Sequence, residues 1–594
     1  MLDRLDSLLA YGWQHPILSA LYLLLASVLS TIVYFLVLTL VRPYRSSLRD
    51  VRGPPSESFL FGVLPTILKE EPGKSHVRWM EEYGAAVRYK GFLGDQRLVI
   101  YDPVALNHVL LSNAYDYPKP EEVRGELAMI LGKGVLFAEG EDHRRQRRIM
   151  QPAFGAAHLR ELVPIFFERA NKLRDVWTDL IVSGDGDETA WKDADAFKAY
   201  QAKRPEGEVT FELDRWFNRL TLDIIGIAGF GYHFNSLEEK ENKLGKAFST
   251  MFSPRSFSKR HNPWNILVFR TVGFLIRALP ILKVANWIPN RRIQEVRAGF
   301  LTLDEESVKI IKSKEDAVEK DGLDSIRGSK DLIALLLKSA ENDGKSSMTT
   351  AELRGQLTTF LLAGHETTST ALTWTLYHLS QHGDKQKRLR EEVRAARRKA
   401  LAEGRDELES GELDALPYLD AVAREILRLE SPVTATIRQA GHDDHIPLSR
   451  SIPSAIDSSK TISSLHVTKG QAIFIPILAV NRNKQVFGED ADLFRPERWI
   501  ESEEGWRKIE GGVGVWSQIL TFLAGPRSCI GYRFALLEFK AILSVLVDNF
   551  EFAPRDEDLQ IERKSQIVTR PLIVGEENKG PCMPLRVRLA HREG

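Results

Sequence analysis

Two cysteines in 594 residues, Cys529 and Cys582, are too few for a disulfide framework. A small stapled secreted scaffold is thereby excluded. The chain also has no excess of one charge: 81 Lys and Arg face 81 Asp and Glu, for a formal net charge of +0. No basic footprint is left for nucleic acid, and no nucleic-acid partner is expected. Internal repeats are missing, and so is any glycine fingerprint for a flavin or nicotinamide. The hydrophobic share of 43% and charged share of 27% are those of an ordinary globular chain with a sizeable core.

Charge is missing most conspicuously from Ile17 to Val41, ILSALYLLLASVLSTIVYFLVLTLV. At ~1.5 Å per helical residue this run reaches ~37 Å, more than the ~30 Å hydrocarbon core of a bilayer. A secretory signal has a shorter apolar region, so cleavage is the second reading. Arg42, Arg45, Arg49 and Arg52 follow, which by the positive-inside rule leaves the C-terminal bulk in the cytosol. The low cysteine content agrees with that side of the membrane. Gly53-Pro54-Pro55 cannot continue a helix and reads as a stiff hinge. Residues 1–50 are therefore read as membrane anchor (helix about 17–41) and linker, and 51–594 as one catalytic domain.

Val87 to Tyr101 reads as two short strands joined near Gly94-Asp95. Asp102 followed by Pro103 is a helix start. The chain is then mainly helical to about Ala440, with short strands and turns after residue 441. The polar stretch 184–208 reads as a surface insertion. Residues 261–290 read first as a core helix and second as a contact with the membrane surface, because basic residues precede an apolar run. Cys582, between Pro581 and Met583, reads as a small buried hydrophobe.

Cys529 has a different context. Phe522 to Ala535 reads FLAGPRSCIGYRFA. A thiolate bound to haem iron needs amide donors, a nearby helix N-terminus and protection from water. Gly525 permits a sharp turn, and Gly531 permits close approach to a flat macrocycle. Arg527 can pair with a propionate, and Phe522 can shield the sulfur. Phe534, Leu537, Leu543 and Leu546 continue at helical spacing, so the loop feeds a helix. At these spacings the segment resembles the cysteine-ligand signature of the cytochrome P450 superfamily, F-x-x-G-x-R-x-C-x-G.

Further motifs support that resemblance. Thr349 and Glu352 form a capping box for a long helix, with Gly383 as its expected stop. Inside it, Ala363-Gly364-His365-Glu366-Thr367-Thr368 weakens the helix and can open a kink. The run resembles the family's oxygen-binding motif, which implies that Glu366 and Thr367 relay protons; His365 is given no catalytic role. By itself the run also fits a buried helix with a satisfied polar patch. Glu425 and Arg428 share a helix face and can pair. Phe494 to Trp499, FRPERW, resembles the family's P-E-R-F segment, which implies a structural network of Glu425, Arg428 and Arg498. His143 and Arg147 lie four apart on one face. The family often has Trp where His143 stands, and both positions reach a haem propionate; an imidazole N–H keeps that capacity. Arg438 matches another propionate-binding position. Arg144 and Arg148 form either a solvated face or a landing surface for an acidic redox partner.

The resemblance spans roughly residues 50–590, in family order, and is nearest to microsomal fungal-type class II haem-thiolate monooxygenases. It implies a mainly α fold with small β-sheets, preceded by one transmembrane helix. It further implies haem b with Cys529 as the metal ligand, and His143, Arg147, Arg438, Phe522, Arg527 and Gly531 around the cofactor. The implied reaction inserts one atom of O₂ into a lipophilic small molecule, such as a terpenoid or other fungal secondary metabolite. Electrons would come from NADPH-cytochrome P450 reductase, with cytochrome b5 as an optional second donor. The implied location is the endoplasmic reticulum membrane, single-pass, facing the cytosol. Substrate contacts are expected from Tyr117–Leu131, the helix around Phe360, Val433–Ile437 and Ile567–Leu572. Two rival classes are a haem-thiolate isomerase or dehydratase acting without O₂, and a haem-binding sensor. The presence of Glu366 and Thr367 argues against both, because proton delivery serves O₂ activation.

Overall fold

The computed structural model describes residues 16–238, 247, 291–321, 331–334, 348–503, 512–565 and 568–591. The segment 261–290 and Ile567, both assigned roles above, lie outside them.

Helix α1, Pro16–Arg45, contains the uncharged run and extends past it to Arg45. It is long and apolar enough to cross a membrane, and only 6% of its apolar window is buried in the protein. Its C-terminal end is docked. Arg42 Nη1 donates to the Leu93 carbonyl at 3.4 Å. Gly94, at φ 73°, lets the Thr39 backbone approach so closely that a Cβ on Gly94 would lie 2.8 Å from the Thr39 oxygen. Leu48 and Val51 are buried in the domain's second apolar core. The Arg88 amide donates to the Arg52 carbonyl at 2.9 Å. At Gly53 a Cβ would meet the Arg88 oxygen at 1.8 Å. The Gly-Pro-Pro segment is thus clamped along a strand edge.

That strand is β1, Ala86–Lys90, which pairs antiparallel with β2, Gln96–Ile100. Asp102 caps the following helix as expected, accepting from the amides of Val104 and Ala105. The interior is framed by α2 (Gly140–Met150), α3 (Ala156–Ser183), α4 (Leu213–Phe230), α5 (Thr350–Gln381), α6 (Gly383–Ala402), α7 (Pro417–Leu429) and α8 (Tyr532–Asn549). β3 (Glu208–Glu212) precedes α4. β4 (Thr436–Gln439), β5 (Asp444–Pro453), β6 (Thr461–Val467) and β7 (Ala472–Ile475) follow α7, and β8 (Phe550–Pro554), β9 (Ile561–Ser565), β10 (Thr569–Ile573) and β11 (Pro584–Leu589) follow α8. They form small sheets ordered β1-β2-β7-β4, β3-β11-β8, β9-β10 and β5-β6. The insertion at 184–208 carries a short helix, Ala194–Gln201, with no buried residue.

Helix α5 is buried nearly all round between Leu353 and Leu376, the sign of a central core helix. Its capping box is formed: the Glu352 amide donates to Thr349 Oγ1, and the Thr349 amide to the Glu352 carboxylate. One sequence expectation, the Gly383 stop, is corrected, and the weak point of α5 stays helical. The helix is continuous through Ala363–Thr368. Its hydroxyls bond back to carbonyls four residues earlier, Thr367 to Ala363 and Thr370 to Glu366, each at 2.8 Å. Gly364 also has a packing reason: a Cβ there would lie 2.8 Å from Ile225 Cγ1 of α4. Gly383 is not the stop: α5 ends at Gln381, and Gly383 opens α6.

Candidate functional site

The cysteine loop turns sharply before α8. Gly525 sits at φ 67°, where a Cβ would meet the Leu110 oxygen at 2.1 Å. The Ser528 amide donates to the Gly525 carbonyl at 3.0 Å, and the Cys529 amide to the Phe522 carbonyl at 2.8 Å. Gly531 is the N-cap of α8. Arg147 of α2 donates to the Ser528 carbonyl and, at 3.3 Å, to Ser528 Oγ. Cys529 is exposed yet deeply embedded among protein atoms, so its side chain opens into an interior space. Burial raises its pKa, partly offset by the Gly531 amide and the Arg147 guanidinium. A cationic metal would reverse that balance.

Cations crowd one side of this space. Arg527 donates to the Ala114 carbonyl and the Glu139 carboxylate, and its guanidinium lies 4.8 Å from the Tyr115 ring centroid. Its Nε is buried and unbonded among the described residues. Arg438 is brought in by β4, where it faces Ile473 of β7. It is buried and donates to Thr436 Oγ1 at 2.7 Å. Burial, then Arg527, lower its pKa to about 10. Lys119 reaches Glu139 at 2.7 Å. Buried His143 is hydrogen-bonded through Nδ1 to the Tyr115 hydroxyl at 3.1 Å. Burial, then Arg527, Lys119 and Arg147, push it down to about 4, so it is neutral near pH 7. Among the described residues, Lys119, Arg438 and Arg527 face the Glu139 carboxylate, and Arg147 stands beside Cys529. A buried excess of positive charge calls for anionic groups from outside the chain.

Within the central part of α5, Ala363 is exposed and Gly364 and Thr367 are half-buried, a break in an otherwise buried stretch. The next turn is closed: Glu366 is buried and pairs with Arg570 of β10. Despite burial, which acts to raise it, the Arg570 and His365 contacts hold Glu366 down at about 2. Carried-over Glu366 is therefore a paired carboxylate here. Phe522 is also buried, 5.8 Å from the Trp516 ring.

Glu425, Arg428 and Arg498 come together, fully buried or nearly so. Arg428 Nε and Nη2 donate to the two Glu425 oxygens at 2.9 and 2.8 Å. Arg498 Nε donates to Glu425 Oε1 at 3.0 Å, and Trp499 Nε1 to Oε2 at 2.9 Å. The remaining guanidinium donors satisfy carbonyls of Asn481, Ala491, Phe487 and Asp490. Asn481 in turn receives the Leu520 amide and donates to Thr521, at the root of the cysteine loop. The network therefore braces that loop and lies outside the interior space.

Sequence reasoning missed Lys119, Glu139, Asp214 and Arg570. No local pattern marks them, because each meets its partners only through the fold. A groove of about 920 Å³ between α6 and the β3-β11-β8 sheet holds none of the predicted site residues.

A mainly α body with small sheets, an embedded cysteine before a core-packed helix, and a cationic pocket beside it define a haem-thiolate class of protein. Residues 52–573 match the family Cytochrome P450, and the chain belongs to that family as a cytochrome P450 monooxygenase. It is 38% identical to cytochrome P450 monooxygenase 128 of Postia placenta, over 95% of this chain and 96% of that one. It is 37% identical to monooxygenase 205 of the same fungus, over 95% and 97%. Monooxygenase claO of Ampulloclitocybe clavipes is 35% identical over 92% and 94%. The family uses a haem iron cofactor, redox partners and lipophilic substrates. The residues present fit that cofactor: an accessible sulfur within the protein, and a surplus of buried guanidinium groups suited to carboxylates.

Proposed function

We propose that haem b would be held between the Ala363–Thr367 face of α5 and the cysteine loop, with Cys529 as the iron ligand. One observation carries this reading: the exposed Cys529 side chain stands beside Arg147, next to a group of cations, Lys119, Arg438 and Arg527, that share the Glu139 carboxylate. Arg147, Arg438, Arg527 and His143 would hold the propionates, with Lys119 as a further cation. When bound, the haem supplies O₂ activation, assisted by electron donation from the thiolate. The chain's residues do the rest. Arg147 donates to the Ser528 carbonyl, Phe522 would shield the loop, and Gly531 would give the cofactor room. The Thr367 hydroxyl, which donates to the Ala363 carbonyl, would pass a proton on, with Glu366 behind it.

The reaction would insert one oxygen atom of O₂ into a lipophilic small molecule, with electrons from NADPH through a separate cytochrome P450 reductase and cytochrome b5 as an optional donor. A terpenoid or other fungal secondary metabolite is the proposed substrate class. Mixing the full-length haem-loaded protein with reductase, NADPH and lipophilic compounds preselected by spectral binding tests this reading. Products that depend on NADPH are expected. Conversion without NADPH would indicate an isomerase or dehydratase, and binding with no NADPH oxidation a sensor.

Val433, just before β4, and Ile437, within it, are half-buried and form one edge of the proposed substrate space. Val433→Ala and Ile437→Ala should change the ratio of regioisomeric products while leaving the haem spectrum intact. An unchanged product pattern in both would remove this edge from the substrate space.

The α1 helix would anchor the enzyme in the endoplasmic reticulum membrane, with residues 51–594 as the cytosolic catalytic domain. A variant lacking residues 1–45 should move from the membrane pellet to the supernatant after centrifugation at high salt. Unchanged pelleting would show that another surface carries the attachment.

A further inference from the structure

Behind Glu366 lies a cluster of acids that the reading above leaves without a task. Arg570 stands between two carboxylates. One nitrogen, Nη2, pairs with Glu366, and the other, Nη1, faces Asp214 Oδ2 at 3.8 Å. Asp214 is 5% exposed, and its other oxygen, Oδ1, is buried with no hydrogen-bond partner among the described residues. Glu212, 4% exposed, caps α4 by accepting from the amides of Asp214 (3.1 Å), Arg215 (2.7 Å) and Met583 (2.9 Å). The Glu212 amide donates to Asp187, half-buried at the rim of the surface insertion, at 3.4 Å. The acids therefore run inward from the surface: Asp187, Glu212, Asp214, then Glu366.

Charge balance decides their protonation. Three buried carboxyl groups share one guanidinium. Burying an uncompensated carboxylate is so costly that such groups take up a proton instead. Arg570 neutralises Glu366, so burial favours the protonated forms of Asp214 and Glu212. The groups facing them agree. Asp214 faces Arg570, Glu366 and His365, and burial wins, raising its pKa. Glu212 faces Asp214, Asp187, Arg570, Arg219 and the Cys582 thiol, and is pushed up to about 8, first by burial and then by Asp214.

We infer that Asp214 is the proton reservoir for Glu366, with Arg570 as the switch between them. The inference rests on reading Glu366 and Thr367 as the proton-delivery pair. In the transfer, the O–H bond of Asp214 breaks and one forms on Glu366, while Arg570 moves its pairing from Glu366 to Asp214. The charge of the cluster is unchanged. Glu366 then gives the proton to the Thr367 face and returns to Arg570. Asp214 regains a proton from Glu212, which refills from solvent at Asp187. Asp214 and Arg570 act through Glu366 and are positioning and relay residues.

Two measurements on the full-length holoenzyme test the relay. The first needs no turnover: the infrared carbonyl stretch of a buried protonated carboxylic acid should be present in the wild type and reduced in Asp214→Asn. The second is NADPH oxidation with reductase and O₂ and no added substrate, followed across pH and in D₂O. Asp214→Asn and Arg570→Gln should slow it roughly tenfold or more and enlarge the solvent isotope effect, and Arg570→Lys should retain more of the rate. The wild-type rate should fall at alkaline pH as the acids lose their protons, and Asp214→Asn should lack that fall. The carbon monoxide spectrum of each variant reports whether haem and thiolate are intact. If Asp214→Asn does not hold haem, the Arg570 pair and the wild-type pH profile decide. An unchanged acid band in Asp214→Asn, or unchanged rate, pH profile and isotope effect in the variants, would overturn the relay alone. A wild type with no reductase-dependent NADPH oxidation would instead overturn the proposed function, and the relay with it.

Discussion

Cys529→Ala should abolish the thiolate-type band of the reduced carbon monoxide complex and, with it, all NADPH-dependent turnover. The physical case is that no second sulfur can take its place. Cys582 is buried just before β11, with its sulfur 3.9 Å from the Thr189 carbonyl. The variant should still fold. The loop is held by backbone bonds that alanine keeps, Cys529 N–H to Phe522 and Ser528 N–H to Gly525, and by Arg147 on the Ser528 carbonyl. Truncating a side chain that faces open space also leaves no packed cavity. Circular dichroism separates the two effects: unchanged helicity with a lost band is the expected pair. An alanine variant that retained the band would end the assignment of Cys529 as ligand.

The second large effect is on stability. Glu425→Gln should destabilise the domain by about 3–5 kcal/mol, because it strands Arg428 and Arg498 as buried charges without their carboxylate. Both guanidinium groups are at most 3% exposed, so solvent cannot take over. Arg428 and then Arg498 hold Glu425 below its ordinary carboxylate range, against burial. The sign follows from that direction. Stability from the network is fully present above the unfolded-state value of about 4.3, and is lost as pH falls through the depressed folded value. Urea unfolding of the variant and the wild type at neutral pH measures the difference. A change under about 1 kcal/mol would mean that the network contributes no more than an exposed ion pair.

Much of this architecture was legible in the sequence where the determining contacts are short-range. The apolar run of α1, the Asp102 cap, the Thr349–Glu352 box and the pairing of Glu425 with Arg428 each depend on neighbours within a few turns. The cysteine loop belongs to the same group, because its turn and its helix start are both set between Phe522 and Tyr532. The candidate site was legible by halves. His143, Arg147, Arg438 and Arg527 were marked by motif position, but Lys119, a further cation, and Glu139, the carboxylate that pairs with Lys119 and Arg527, were not, because each meets its partners only through the fold. Arg570 lies in a stretch read as a substrate contact, and only the packing of β10 against α5 turns it towards Glu366. Gly364 had a local reason on paper, helix weakening, and a tertiary one in fact, the approach of Ile225. Its neighbours stay within a continuous helix, their hydroxyls bonded back to carbonyls four residues earlier.

The contact between Thr39 and Gly94 gives the anchor a second role. A helix free to swivel on its tether would let the globular body sample every heading above a bilayer. Here the last turns of α1 are latched to the β1–β2 turn, and the chain after them is laid into the core through Leu48 and Val51. Were α1 to lie in lipid as proposed, its tilt would set the attitude of the body, as a keel sets the trim of a hull. Any mouth through which a greasy molecule left the bilayer would be aimed by that latch, and its compass bearing would be written in a glycine.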